Sequence, residues 1–163
     1  MHEDVAAADR MLSQLASLLR AAYETDRAVL VPLGRELEWL AGYAAMMRER
    51  FRGQLAIEVQ VQPGLEALQV PRLLLQPLAE NALRHGLASG HGRLEVDIRR
   101  EGRHLRYTVS DDGTGLAGRV DYGTGLNNIS RRLQLLFPQD YVLDLAPRAP
   151  RGTVVTVRFP VQP

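Results

Sequence analysis

The chain has 163 residues, 45% hydrophobic and 24% charged, with a formal net charge of +1 at pH 7. That is the balance of a folded, soluble protein with one ordinary domain, or a smaller domain plus an appendage, and it leaves no global field to draw in nucleic acid or an anionic membrane. There is no cysteine, so disulfides, thiolate catalysis and cysteine metal sites are excluded, and no apolar run approaches the roughly 18 residues of a bilayer span. Met1-His2-Glu3-Asp4 does not open a signal peptide, so a cytoplasmic location is expected of this stretch, with a membrane anchor elsewhere in a longer protein left open. Every one of the 20 basic residues is Arg, for which there is no physical account.

Residues 3–23 read as a helix, because Val5, Ala8, Leu12, Leu15, Leu19 and Ala22 recur at steps of three and four. A second helix is expected from Pro32, where Leu33, Leu37, Leu40, Ala44, Met47 and Phe51 repeat the spacing. Two such seams with a short connection predict an antiparallel hairpin. It has too little core to stand alone, so it would complete a four-helix bundle in a homodimer, or else pack on the rest of the chain. The period changes at Gly53, which places a domain boundary there: residues 1–52 as the hairpin and 53–163 as a second domain.

Leu55–Val61 partly alternates, as a half-buried strand does, and Pro63-Gly64 is a turn. Pro71 is expected to open a central helix that closes at Gly86. Leu94, Val96 and Ile98, then Leu105, Tyr107 and Val109, alternate as two strands of a hairpin around Glu101-Gly102. A helix over Leu126–Leu136 and strands over Val142–Leu145 and Val154–Phe159 complete the chain. The expected fold is α+β: a two-layer α/β sandwich with a mixed sheet, preceded by an α-helical hairpin.

Three stretches carry candidate chemistry. In the central helix Asn81, Arg84 and His85 stand at i, i+3 and i+4 and are predicted to share a face. Asn is a hard oxygen donor that suits magnesium, and Arg forks onto phosphate oxygens, so the set suits a metal-bound polyphosphate. The alternative is a surface helix with three solvated polar residues. The second stretch, Asp111-Asp112-Gly113-Thr114-Gly115, follows a strand. It can set a carboxylate, which only accepts hydrogen bonds, against an amine such as that of adenine, or it can be a tight turn. The third, Gly123-Thr124-Gly125-Leu126, precedes a helix and reads either as an anion site or as a glycine-assisted helix start, with Leu116–Tyr122 as a lid. Neither glycine stretch fits the dinucleotide fingerprint or the Walker P-loop.

In this order the three stretches resemble the ATP-binding domain shared by DNA gyrase, heat-shock chaperones, histidine kinases and mismatch-repair ATPases, the Bergerat fold. Leu75-Gln76-Pro77-Leu78-Ala79-Glu80-Asn81-Ala82-Leu83-Arg84-His85-Gly86 and Gly123-Thr124-Gly125-Leu126-Asn127-Asn128-Ile129-Ser130-Arg131-Arg132-Leu133 resemble the LytS-type sensor histidine kinases. Leu33–Phe51 is similar to that family's helix leading into the ATPase domain.

The resemblance implies ATP and Mg2+ as ligands, with Asn81 on magnesium, Arg84 on phosphate and His85 beside the nucleotide. It implies Asp111 on the adenine amine, Gly113 and Gly115 shaping that turn, and Thr153 near adenine through water. Gly123, Thr124, Gly125 and Leu126 would line the phosphate side. Glu80 would orient the metal or a water, or be a surface carboxylate. The family's phosphate-accepting segment, of His-Phe-Leu-Phe-Asn type, has no counterpart here, and His2, His91 and His104 lack its flanks. The expectation is a kinase catalytic core that moves the ATP γ-phosphoryl group to a histidine outside this stretch, for passage to a response regulator, and does not phosphorylate itself. The alternatives are a nucleotide-binding or dimerisation module without catalysis and a serine kinase of the anti-sigma-factor type.

Overall fold

The computed structural model describes residues 29–115 and 123–161. The helix expected over residues 3–23 and the lid expected over Leu116–Tyr122 lie outside those residues. In chain order the elements are β1 (Leu30–Pro32), α1 (Leu33–Arg50), β2 (Leu55–Val61), β3 (Gln69–Pro71), α2 (Leu75–Asn81) running into a π-helical turn (Ala82–Gly86), β4 (Gly92–Glu101), β5 (His104–Asp111), α3 (Gly123–Leu136), β6 (Val142–Pro147) and β7 (Thr153–Pro160).

Five strands form one mixed sheet in the order β2-β4-β5-β7-β6. β2 and β4 run parallel, Leu55 opposite Gly92 to Val61 opposite Ile98, and every other pair is antiparallel. A parallel pair needs a crossover, and the segment holding β3 and α2 supplies it. Period-2 alternation sends Leu94, Val96, Ile98, Leu105, Tyr107, Val109, Val155, Val157 and Phe159 to one face, all buried. Tyr107 and Phe159 meet edge to face at 5.3 Å. α3 adds Leu126, Ile129 and Leu133 to the same core. The other face is polar, with Glu58, Gln60, Glu95, Asp97, Thr108 and Ser110 side by side. The two-layer α/β sandwich with a mixed sheet is therefore the fold.

Three sequence expectations need correction. Pro71 does not open the central helix: it ends β3, which pairs antiparallel with β1 in a separate two-stranded sheet that the short, unpatterned segments concealed. α2 starts at Leu75 and ends at Asn81, and the chain continues as a π turn in which the Leu87 N–H donates to the Ala82 carbonyl at 3.1 Å. The winding therefore widens just past Asn81. Finally, Gly123, Thr124 and Gly125 are the first turn of α3 rather than a loop before it.

The seam of α1 is buried in the same core as the sheet: Leu33, Leu40, Ala44 and Met47 are all under 7% exposed. That apolar stripe packs in this chain's own core. Its first N–H groups are satisfied by the segment before β3, Leu33 donating to the Leu68 carbonyl at 2.8 Å and Gly34 to that of Glu66 at 2.9 Å. No helix among the described residues is long and apolar enough to cross a membrane.

Candidate functional site

Asp111 ends β5 and is only 3% exposed. Its Oδ1 accepts the Gly113 N–H at 2.9 Å, a turn bond that aims the carboxylate across the end of the sheet. Burial pushes its carboxyl up, and the Asp112 charge adds to this. The N–H groups of Gly113 and Thr153 and the Arg148 guanidinium pull it back. Thr153 stands directly opposite Asp111 in the β5–β7 ladder, so the two residues assigned to one end of a ligand are neighbours. Asp112 is used differently: its Oδ1 accepts the Arg93 N–H at 2.7 Å and ties the loop to β4.

Glycines let three backbones meet here. A Cβ at Gly113 would lie 1.7 Å from the Gly86 carbonyl oxygen, one at Gly152 would lie 1.9 Å from that of Asp111, and one at Gly86 would lie 2.3 Å from Asp111 Oδ1. The Thr114 N–H donates to the Gly86 carbonyl at 3.1 Å. The end of the π turn is thereby clamped to the Asp111 loop, and Gly115, at φ +75°, carries the chain onward beside Gly152.

Asn81 closes α2 and is partly buried, and Arg84 is exposed in the π turn. π turns interrupting a helix are frequent at functional sites. Glu80 Oε1 accepts the side-chain N–H of Gln76 at 3.0 Å, one turn back, which orients the carboxylate. At the start of α3, Gly125 packs toward Pro77 of α2, Thr124 is exposed, and Leu126 is buried in the core, where it anchors the turn. The structure thus brings Asp111, Gly113, Gly115 and Thr153 together and joins them to the Asn81 helix through Gly86. It sets the start of α3 against that helix from another side.

Sequence reasoning missed Glu36, Gln76 and the steric roles of Gly86 and Gly152. Glu36 had a legible signal, since it falls between Leu33 and Leu40 in a buried stripe. The others had none, because each depends on a contact across the fold.

The fold is that of histidine kinase catalytic domains. The chain matches the histidine kinase domain of the blue-light activated histidine kinase from Erythrobacter litoralis EL346 with a TM-score of 0.61 at 24% identity, over 82% of this chain and 63% of that one. Its homologues are sensor histidine kinases. It is 30% identical to the sensor protein LytS of Bacillus subtilis and 29% identical to the sensor histidine kinase BtsS of Escherichia coli K12, in each case over 98% of this chain and 29% of the relative. The family model described as histidine kinase matches residues 1–55. The chain therefore spans less than a third of the length of these curated relatives.

Proposed function

We propose that this chain is the ATP-binding catalytic core of a two-component sensor histidine kinase, which moves the γ-phosphoryl group of magnesium-bound ATP to a histidine for onward transfer to a response regulator. The observation that carries the reading is the buried Asp111 carboxylate, held by Gly113 and fronted by Gly86, with the Asn81 helix clamped to the same loop. Asp111 would accept from the adenine amine, and a glycine at position 86 lets the chain pass directly against that carboxylate. Asn81 would offer one oxygen to magnesium, an ion that keeps water and phosphate oxygens as its other ligands. Arg84 and the first-turn N–H groups of α3 would take phosphate charge. The protein's contribution to transfer would be positioning and charge neutralisation.

Supporting the reading are sequence similarity along almost the whole chain and a matching fold. A homodimer belongs to it as well. With the α1 seam used internally, its contacts would fall on residues 3–23 and on the outer side of α1, where Met46 is exposed. Calorimetry with Mg·ATP tests the binding half. The wild-type chain should bind, and Asp111→Asn should bind about tenfold more weakly or worse, the value of a hydrogen bond to a charged group. Phosphate transfer to a supplied acceptor helix tests the kinase half. Binding without transfer would favour a nucleotide-binding module.

A further inference from the structure

Glu36 lies in the first turn of α1 with its side chain buried, and its carboxylate takes three successive backbone N–H groups from a different part of the chain. Leu73 donates to Oε1 at 2.8 Å, and Leu74 and Leu75 donate to Oε2 at 2.9 and 3.0 Å. The donors converge because Leu73 adopts φ +59° and Leu74 is right-handed helical. Adjacent residues of opposite hand form a concave nest that binds anions. Here the anion is supplied by the protein, and it satisfies first-turn N–H groups that α2 cannot pair internally. Burial pushes the Glu36 carboxyl up, while the three N–H groups and the Arg132 charge pull it back.

The same junction joins other elements. The β1–β3 ladder sets Pro32 opposite Gln69 and Leu30 opposite Pro71, so α1 and the lead-in to α2 leave the two ends of one short two-stranded sheet. The Arg72 N–H donates to the Val29 carbonyl at 3.1 Å. From α3, a guanidinium N–H of Arg132 donates to the Arg72 carbonyl. α2 is thus held at two points: at its start by Glu36, and beyond its end by Gly86 against Gly113. Asn81 lies between them, about 9 Å from Leu75 at the helical rise.

We propose that Glu36 is a positioning residue for the nucleotide site: by holding the start of α2 to α1, it sets where Asn81 stands relative to Asp111, so the carboxylate–nest contact, rather than the apolar packing of α1, governs nucleotide affinity. This rests on the nucleotide reading above for its functional consequence, and on the carboxylate–nest contact for its structure. A hydrophobic side chain could fill the space but could not accept the three N–H groups, and Gln would turn a donor toward donors.

The test compares wild type with Glu36→Gln and with Leu40→Ala, a core truncation one turn further along α1 that leaves the carboxylate in place. Under conditions where all three are folded, hydrogen exchange in Glu36→Gln should speed up by roughly tenfold or more over residues 73–86, beyond any change elsewhere in the core. In Leu40→Ala those amides should change only in step with the rest. Mg·ATP affinity should fall at least about fivefold in Glu36→Gln and stay within about twofold of wild type in Leu40→Ala. Should Glu36→Gln not fold, Glu36→Asp, one methylene too short to reach all three donors, takes its place. Wild-type affinity in the Glu36 variant would overturn the proposal. A wild-type chain that binds no nucleotide would sink the function proposed above instead. The exchange pattern would then decide the role of Glu36, with protection over 73–86 matching that of Leu40→Ala counting against it.

Discussion

Gly86 and Asp111 meet at the end of the sheet so closely that a Cβ on Gly86 would lie 2.3 Å from Asp111 Oδ1. The obstacle at Gly86 is the end of a side chain, whereas a Cβ on Gly113 would strike the Gly86 backbone. The two glycines should therefore fail differently. Gly113→Ala forces backbone apart and should cost about 3 kcal/mol or more of stability. Gly86→Ala should lower the denaturation midpoint less than Gly113→Ala does, while displacing the Asp111 carboxylate and weakening Mg·ATP binding about tenfold or more. Urea denaturation and calorimetry on both variants check the contrast.

Asp111 links nucleotide affinity and stability to pH in opposite senses. Its folded carboxyl is raised, chiefly by burial, so the folded chain holds this proton to higher pH than the unfolded chain. Stability from this group is fully present below the ordinary Asp range and is lost as pH rises through the raised value. Binding of an adenine amine needs the carboxylate and should weaken as pH falls through that same value. Asp111→Asn should thus bind poorly at every pH, yet unfold at neutral pH no more readily than wild type. Paired titrations of affinity and denaturation midpoint between pH 4 and 8 on the two proteins measure this.

The Tyr107 hydroxyl is buried with no hydrogen-bond partner among the described residues, and burial, aided by the Glu36 charge, raises its phenol well above the ordinary range. An unpaired buried hydroxyl costs stability. Tyr107→Phe keeps the edge-to-face contact with Phe159 and should be neutral or stabilising by up to about 1 kcal/mol. Loss of more than that amount in urea denaturation would mean that the hydroxyl has a partner.

Arg52 is exposed and held at φ +50° just past the end of α1, followed by Gly53 at φ +76°. The Gly53 N–H donates to the Arg48 carbonyl at 3.1 Å and closes the helix end. A side chain in the left-handed region carries a strain of about 1–2 kcal/mol, partly offset in glycine by its larger loss of freedom on folding. Arg52→Gly should therefore raise stability by about 0.5 kcal/mol, read as a higher thermal midpoint.

The main sheet was legible wherever polar and apolar residues alternate cleanly, as in Leu94-Glu95-Val96-Asp97-Ile98, because a strand with one wet face writes its period into the sequence. β1 and β3 were not, because three-residue strands carry too little pattern. The central helix was legible as a helix, but its division at Asn81 was not: the Gly86–Gly113 contact joins residues 27 apart, and a helical pattern does not show which turn must widen to meet it.

By itself, the sequence determined the strand and helix content of the sandwich, the order of the Asn81, Asp111 and Gly123 stretches, and the apolar stripe of α1, since each is written in local spacing. Only the tertiary structure decided what that stripe packs on, that β2 runs parallel to β4, and what Glu36 within the stripe holds, its partners lying 37 to 39 residues away. Those partners are backbone N–H groups turned inward by a left-handed leucine. Every residue but proline carries such a group, so side-chain pattern cannot say where three of them will converge.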